Sequence, residues 1–250
     1  MSRTAIRRAL APAGAALVAL TLAPAAQAGS TKETPGSPCV PGGGQGTGNP
    51  CNGNNGNPSP EGNAKEKVVR DTNPPRFTIV RGSGHGAFID QIGDVNNATI
   101  TQTRNTQYAR IAQTGDRNAA SANQSGSGAH YGAIVQDGSD NTAALTQSGA
   151  GAQVAYLSQD GSANQMTVQQ NGGLTISGVE AMQIGDRNTM SLTQNGENNM
   201  ARLTQNGSDS TMTAVQNGNN QLSWTQTGVG LSDLQITQPA GQALLVTQTR

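Results

Sequence analysis

Residues 183–205 read QIGDRNTMSLTQNGENNMARLTQ. Glutamine recurs in this stretch as Gln183, Gln194 and Gln205, 11 residues apart. Four and two residues before Gln194 stand Met190 and Leu192; before Gln205 stand Ala201 and Leu203. Six before come Asn188 and Asn199, while Ser191, Thr193, Arg202 and Thr204 between them are polar. Alternation with period two marks a strand that buries one face, because successive side chains point to opposite sides of the backbone. Gly185 and Gly196 lie two residues after a glutamine, where a tight reversal needs positive φ.

The same unit recurs through residues 77–250. Its glutamines are Gln91, Gln102, Gln113, Gln124, Gln136, Gln147, Gln159, Gln170, Gln183, Gln194, Gln205, Gln216, Gln226, Gln238 and Gln248. Two before each stands Ile, Leu, Val, Ala or Trp224, and four before each a small or apolar residue, with Gly132 the one gap. Six before each the residue is polar, usually an amide; His85, His130, Ser177, Ser210 and Ser232 fill the remaining places. Spacings run from 10 to 13 residues, and the variation always falls between a glutamine and the next polar position. A slip inside the strand would turn its buried face outward, so stacking confines insertions to the turns. The turn glycines are Gly93, Gly115, Gly138, Gly161, Gly185, Gly196, Gly207 and Gly218, with others at the same place in most turns; Arg104 and Ala240 are the exceptions.

A strand-turn unit of this length fits an antiparallel meander or a coil with two units, about 22 residues, per rung. The coil accounts for the identity of the columns. Rungs stacked about 4.8 Å apart let each buried amide bond the like amide of the next rung. A meander would set unlike positions opposite each other. The expected fold is therefore all-β, a two-sheet parallel β-solenoid with a cross-β core, on the order of 35 Å long. The glutamines of the series other than Gln170 and Gln238, with Asn96, Asn118, Asn141, Asn164, Asn188 and Asn199, are the expected ladder residues.

Composition points the same way. Only 12% of residues are charged and 2% aromatic, and Leu, Ile, Val and Phe together number 39, against 33 Gly and 24 Gln. That is too few large apolar side chains for a conventional core, and too little charge for an expanded disordered chain. Fifteen basic and fifteen acidic residues leave no basic surface for nucleic acid. Beyond the N-terminus no apolar run is long enough to cross a bilayer.

Residues 1–28 read as a secretory signal: Arg3, Arg7 and Arg8, an apolar run, then Ala26, Gln27 and Ala28 before Gly29. The Arg7–Arg8 pair leaves both general and twin-arginine export open. Residues 29–76, rich in Gly, Pro, Asn and Ser, read as a disordered segment, bounded by the last lysine, Lys67, and by Pro74, Pro75 and Phe77. Cys39 and Cys51 are the two cysteines. An oxidising compartment permits a disulfide between them; free or intermolecular thiols are the alternative, and two thiols alone are too few for a metal. No segment is seen that would cap the rod ends. Each end is then an unpaired edge with a matching partner on another copy, so end-to-end polymerisation is expected.

The repeated Gln-x-Gly-x-x-Asn-x-Ala-x-x-x-Gln resembles the curlin repeat of curli fibre subunits, bacterial functional amyloids. It stands here at Gln91–Gly93–Asn96–Ala98 and Gln136–Gly138–Asn141–Ala143, and with methionine for alanine at Gln183–Gly185–Asn188–Met190. The likeness covers roughly residues 80–250. It implies export through the periplasm and an outer-membrane secretion pore. It also implies extracellular homopolymeric fibres, partnership with other curli-type subunits, and a role in adhesion and biofilm matrix. The segment before the repeats is similar in character to a pore-targeting segment. No cofactor is implied. The long linker with Cys39 and Cys51, and the irregular units around Leu174 and Leu231, depart from the pattern.

Two rivals compete with this reading. An enzyme would need clustered catalytic groups, but His85 and His130 fall in the inward polar column. Asp94, Asp116, Asp140, Asp160 and Asp186 fall in turns, where they read as charges that limit aggregation. A secreted monomeric solenoid could bind ice or another surface through Thr101, Thr146, Thr193, Thr204, Thr225, Thr237 and Thr247. Arg110, Glu180 and Arg202 intrude on neighbouring outward positions.

Overall fold

A computed structural model of the chain describes residues 66–250. The expected signal segment, most of the expected linker, and Cys39 and Cys51 lie outside the described residues. The strands are β1 (Lys67–Asp71), β2 (Gly86–Ile92), β3 (Asn97–Gln102), β4 (Tyr108–Thr114), β5 (Ala119–Gln124), β6 (Tyr131–Ser139), β7 (Thr142–Gly149) and β8 (Gln153–Ser162). They continue with β9 (Gln165–Gly172), β10 (Ser177–Ile184), β11 (Thr189–Asn195), β12 (Met200–Ser208), β13 (Thr211–Asn217), β14 (Gln221–Val229), β15 (Leu234–Gln238) and β16 (Ala243–Thr249). No helix occurs among the described residues.

Successive units alternate between two sheets. One runs β1-β16-β14-β12-β10-β8-β6-β4-β2, the other β15-β13-β11-β9-β7-β5-β3. From β2 to β16 every pairing is parallel and in register, glutamine beside glutamine: Gln183 pairs Gln205 in the first sheet and Gln194 pairs Gln216 in the second. The chain is a two-sheet parallel β-solenoid. Its inward columns meet in one core that includes Ile111, Ile134, Leu145, Leu157, Leu192, Leu203 and Trp224.

The first sheet has a second apolar layer on its outside. Residues 72–85 run along it as a strap. Ile79 is buried there against Val154 and Met200, with Phe77, Tyr131 and Tyr156 beside it. Gln221 exchanges two hydrogen bonds with the Phe77 backbone, and Tyr156 Oη donates to the Val80 carbonyl at 3.0 Å. Gly178 makes room for this passage: a Cβ there would lie 2.8 Å from Ile79 Cβ. The Tyr108 and Tyr131 rings stack at 4.6 Å beneath Gly84 and Gly82. Burial beside Tyr156 and Tyr108 pushes the Tyr131 hydroxyl up to about 12.

The segment expected to be disordered up to residue 76 contains a strand. β1 pairs antiparallel with β16, Val69 opposite Thr247. The expectation that no segment caps the rod fails at this end. At the other end β2 and β3 each have a partner on one side among the described residues.

Candidate functional site

The inward glutamines form two continuous chains of hydrogen bonds. In the first sheet each Nε2 donates to the next Oε1 in the order Gln91, Gln113, Gln136, Gln159, Gln183, Gln205, Gln226, Gln248, at 2.6–2.8 Å. In the second the order is Gln102, Gln124, Gln147, Gln170, Gln194, Gln216, Gln238, at 2.7–2.9 Å. Gln170 and Gln238, absent from the expected ladder, are links like the rest. The second Nε2 hydrogen reaches across the core: Gln159 donates to Thr142 O at 3.1 Å and Gln183 to Gln165 O at 3.1 Å. Each interior glutamine thus satisfies its buried amide and ties the two sheets together.

The asparagines act differently from the expected like-on-like ladder. Nδ2 of Asn96, Asn118, Asn141, Asn164 and Asn188 donates to the carbonyl of the turn glycine one rung on, at 2.6–2.8 Å. Their Oδ1 atoms accept from the backbone N–H of the next residue in the column, as Asn118 does from Asn141 at 3.1 Å. Direct amide-to-amide bonds are secondary, 3.2 Å for Asn141 to Asn118 and 3.1 Å for Asn164 to Asn141. These asparagines clamp turns because a stacked turn leaves glycine carbonyls pointing along the rod axis. Asn199 belongs to the opposite corner, and its Nδ2 bonds the Asn195 carbonyl at 2.8 Å.

The turn glycines differ in how closely the next rung approaches them. At Gly93, Gly115, Gly138, Gly161, Gly185 and Gly207 φ lies between 99° and 143°, and a Cβ would fall 2.1 Å or less from the carbonyl oxygen of the next glycine in the column. Gly218 has φ 79° with no atom within 4 Å of a Cβ, and at Gly196 the nearest is 3.5 Å away.

The turn acids, expected as charges that limit aggregation, also make contacts within the rod. Several link rungs. Asp116 accepts the Asp94 N–H at 2.8 Å, Asp186 accepts the Ser162 N–H at 2.8 Å, and Arg117–Asp140 and Arg187–Asp209 pair at 2.7 Å. The hydrogen bond from Arg117 holds the Asp140 carboxyl below its ordinary value of 3.8, and Arg187 does the same for Asp209. A depressed folded value stabilises above the unfolded value and is lost as pH falls through the folded one. We expect the unfolding midpoint of wild-type protein to drop below roughly pH 4, and Asp140→Asn with Asp209→Asn to flatten that drop. Denaturant titration across pH checks this.

His130 is buried in the inward column with Nε2 2.7 Å from the Ser125 carbonyl, and burial pushes its pKa down. His85, expected in the same column, is exposed. It precedes β2, and among the described residues β2 has no rung beyond it. For the same reason Gln91 is exposed and Ile89 is 45% exposed, whereas the equivalent Ile111 is buried.

The outer faces of the two sheets differ. Arg110, Glu180 and Arg202, the charges that interrupted the expected threonine face, all lie on the first sheet, in β4, β10 and β12. Arg110 pairs there with Asp90 at 3.0 Å and Arg202 with Glu180 at 2.7 Å. Thr204, Thr225 and Thr247 also belong to that sheet. The outward positions of β3, β5, β7, β9, β11, β13 and β15 carry no charge; among them are Thr101, Thr146, Thr193 and Thr237.

Residues 185–218 match the family model of the curlin associated repeat. No curated protein and no solved structure matches the chain. The matched residues span β11, β12 and β13, and the register they define continues through the parallel stack in both directions. Residues 185–218 of this chain are thus similar to the curlin associated repeat, and the stack on either side repeats the same register.

Proposed function

We propose that this is a secreted structural protein whose rods join end to end into curli-like extracellular amyloid fibres, serving adhesion and biofilm matrix. The observation that carries the reading is the open first rung. Ala87, Ile89 and Gln91 face inward there yet are exposed, and β2 and β3 each have an unpaired outer edge among the described residues. Gln91 donates its Nε2 into the rod, so its Oε1 remains as an acceptor. At the far end the glutamine chain finishes on the Gln248 Nε2 donor. Donor end and acceptor end therefore match in register, and a second copy continues both ladders. Other curli-type subunits as partners and passage through an outer-membrane secretion pore are parts of the same reading. The repeat and the solenoid are structural rather than enzymatic in character.

Fibre diffraction tests it. The chain from Gly29 onward, incubated at neutral pH, is expected to form fibres with a meridional spacing near 4.8 Å. Soluble monomer after seeding would refute the proposal.

The uncharged outer face of the second sheet favours one further reading, a surface-binding role for the monomer. Its regular hydroxyl and amide rows would suit an ordered surface such as ice. Thermal hysteresis in monomeric protein, lost on Thr146→Lys with Thr193→Lys, would support it; its absence counts against it.

A further inference from the structure

The two ends of the rod are not equivalent. At the β2 end the ladder is open, whereas at the β16 end the protein supplies its own last strand. β1 lies antiparallel on the edge of β16, where a second copy's β2 would have to sit. Val68 lies opposite Gln248 in the register, and Glu66, just before β1, supplies the acceptor that a further ladder residue would offer. Its Oε1 accepts the hydrogen bond from Gln248 Nε2, and its Oε2 accepts the Ser232 N–H at 3.0 Å, with Arg250 at 3.9 Å. Every other glutamine in this ladder gives that hydrogen to the next glutamine, so Glu66 stands in for the next copy's Gln91.

β1 itself is unlike the strands it extends. Its sequence KVVRD has three charges in five residues, and all five are exposed. Directly paired residues share a face, so Arg70, opposite Val246, falls in the inward column. No inward position from β2 to β16 in that sheet holds a charge. A short edge strand with an inward charge is a device that stops further strand addition. The strap explains its placement. Fourteen residues separate Asp71 from Gly86, and they reach at most about 48 Å, against about 38 Å for the eight strand spacings to be crossed. The strap, anchored through Phe77, Ile79 and Val80, delivers β1 to the far end of its own rod.

We propose that β1 with Glu66 is an intramolecular cap that competes with a second copy for the β16 edge. Each addition to a fibre must displace it. The inference rests on the end-to-end assembly proposed above. Elongation then scales with the fraction of ends that are open.

A reversible lock tests this. In secreted chain with Cys39→Ser and Cys51→Ser, the pair Val69→Cys and Thr247→Cys, opposite each other in the register, joins β1 to β16 when oxidised. Oxidised protein is expected not to elongate wild-type seeds, and the same sample is expected to regain growth on reduction. Glu66→Ala, which loosens the cap, is expected to elongate roughly tenfold faster than wild type. Equal growth of locked and reduced protein would overturn the cap, as would Glu66→Ala growing no faster than wild type. Absence of fibres from every form, wild type included, would overturn the assembly reading and the cap with it.

Discussion

Gly138→Val is expected to destabilise the soluble monomer by about 3 kcal/mol or more. Gly138 has φ 113°, outside the region that side-chain-bearing residues readily enter, and a Cβ there would lie 2.0 Å from the Gly161 carbonyl oxygen. That oxygen is also the acceptor for Asn141 Nδ2 at 2.7 Å, so moving it breaks the turn clamp as well. Neither atom is at the end of a flexible side chain that could swing aside. The neighbouring rungs are stacked on the same column, so relief requires the rung spacing itself to open. Gly218→Ala provides the contrast, because its surroundings are empty and the cost reduces to positive φ alone, about 1 kcal/mol. Urea unfolding of both variants decides the matter; equal losses would contradict the close-approach account.

Gln159→Leu is expected to cost about 2–5 kcal/mol although leucine is similar in size and more apolar. Gln159 is buried and sits in the middle of the ladder. Its removal leaves Gln136 Nε2 without an acceptor, Gln183 Oε1 without its donor, and the Thr142 carbonyl without the bond that crosses the core. Each stranded group retains its desolvation cost with nothing to offset it. Gln91→Leu changes the same column at the exposed first rung and is expected to alter monomer stability by less than about 1 kcal/mol. Its effect belongs to assembly, because it removes the acceptor offered to another copy. Denaturant unfolding and seeded growth, measured on both variants, separate the two roles. Loss of stability at Gln91 equal to that at Gln159 would show that position in the stack does not matter.

Much of the rod is legible in the sequence because its dominant forces are local and periodic. Period two around each glutamine sets strand and inward face, and the confinement of length changes to turns sets register. What escapes is set by partners distant in the chain. The strand KVVRD carries no repeat glutamine, and its pairing with β16 joins residues far apart in the sequence. Its capping role follows from a strap whose anchors, Ile79 above Gly178 and Phe77 on Gln221, are invisible until the rungs are stacked. The asparagine column announces itself in sequence, but its acceptors are glycine carbonyls one rung away, and nothing in a single repeat distinguishes that from an amide ladder. The separation of charge between faces was present in the alternation of units. Arg110, Glu180 and Arg202 all fall in strands of the first sheet, a pattern that acquires meaning only when alternate units are assigned to different sheets.

The central claim is that the last rung of one copy stacks in register on the first rung of the next. Thr225 and Thr247 pair directly, as do Asp90 and Ala112, so a continued stack places Thr247 of one copy beside Asp90 of another. Fibres grown from two pools, one carrying Asp90→Cys and the other Thr247→Cys, both with Cys39→Ser and Cys51→Ser, report this contact by disulfide formation. Adjacent strands at about 4.8 Å lie within disulfide reach. The account predicts cross-links between the pools, joining position 90 to position 247. Cross-links confined to like positions, or none in well-formed fibres, would contradict it.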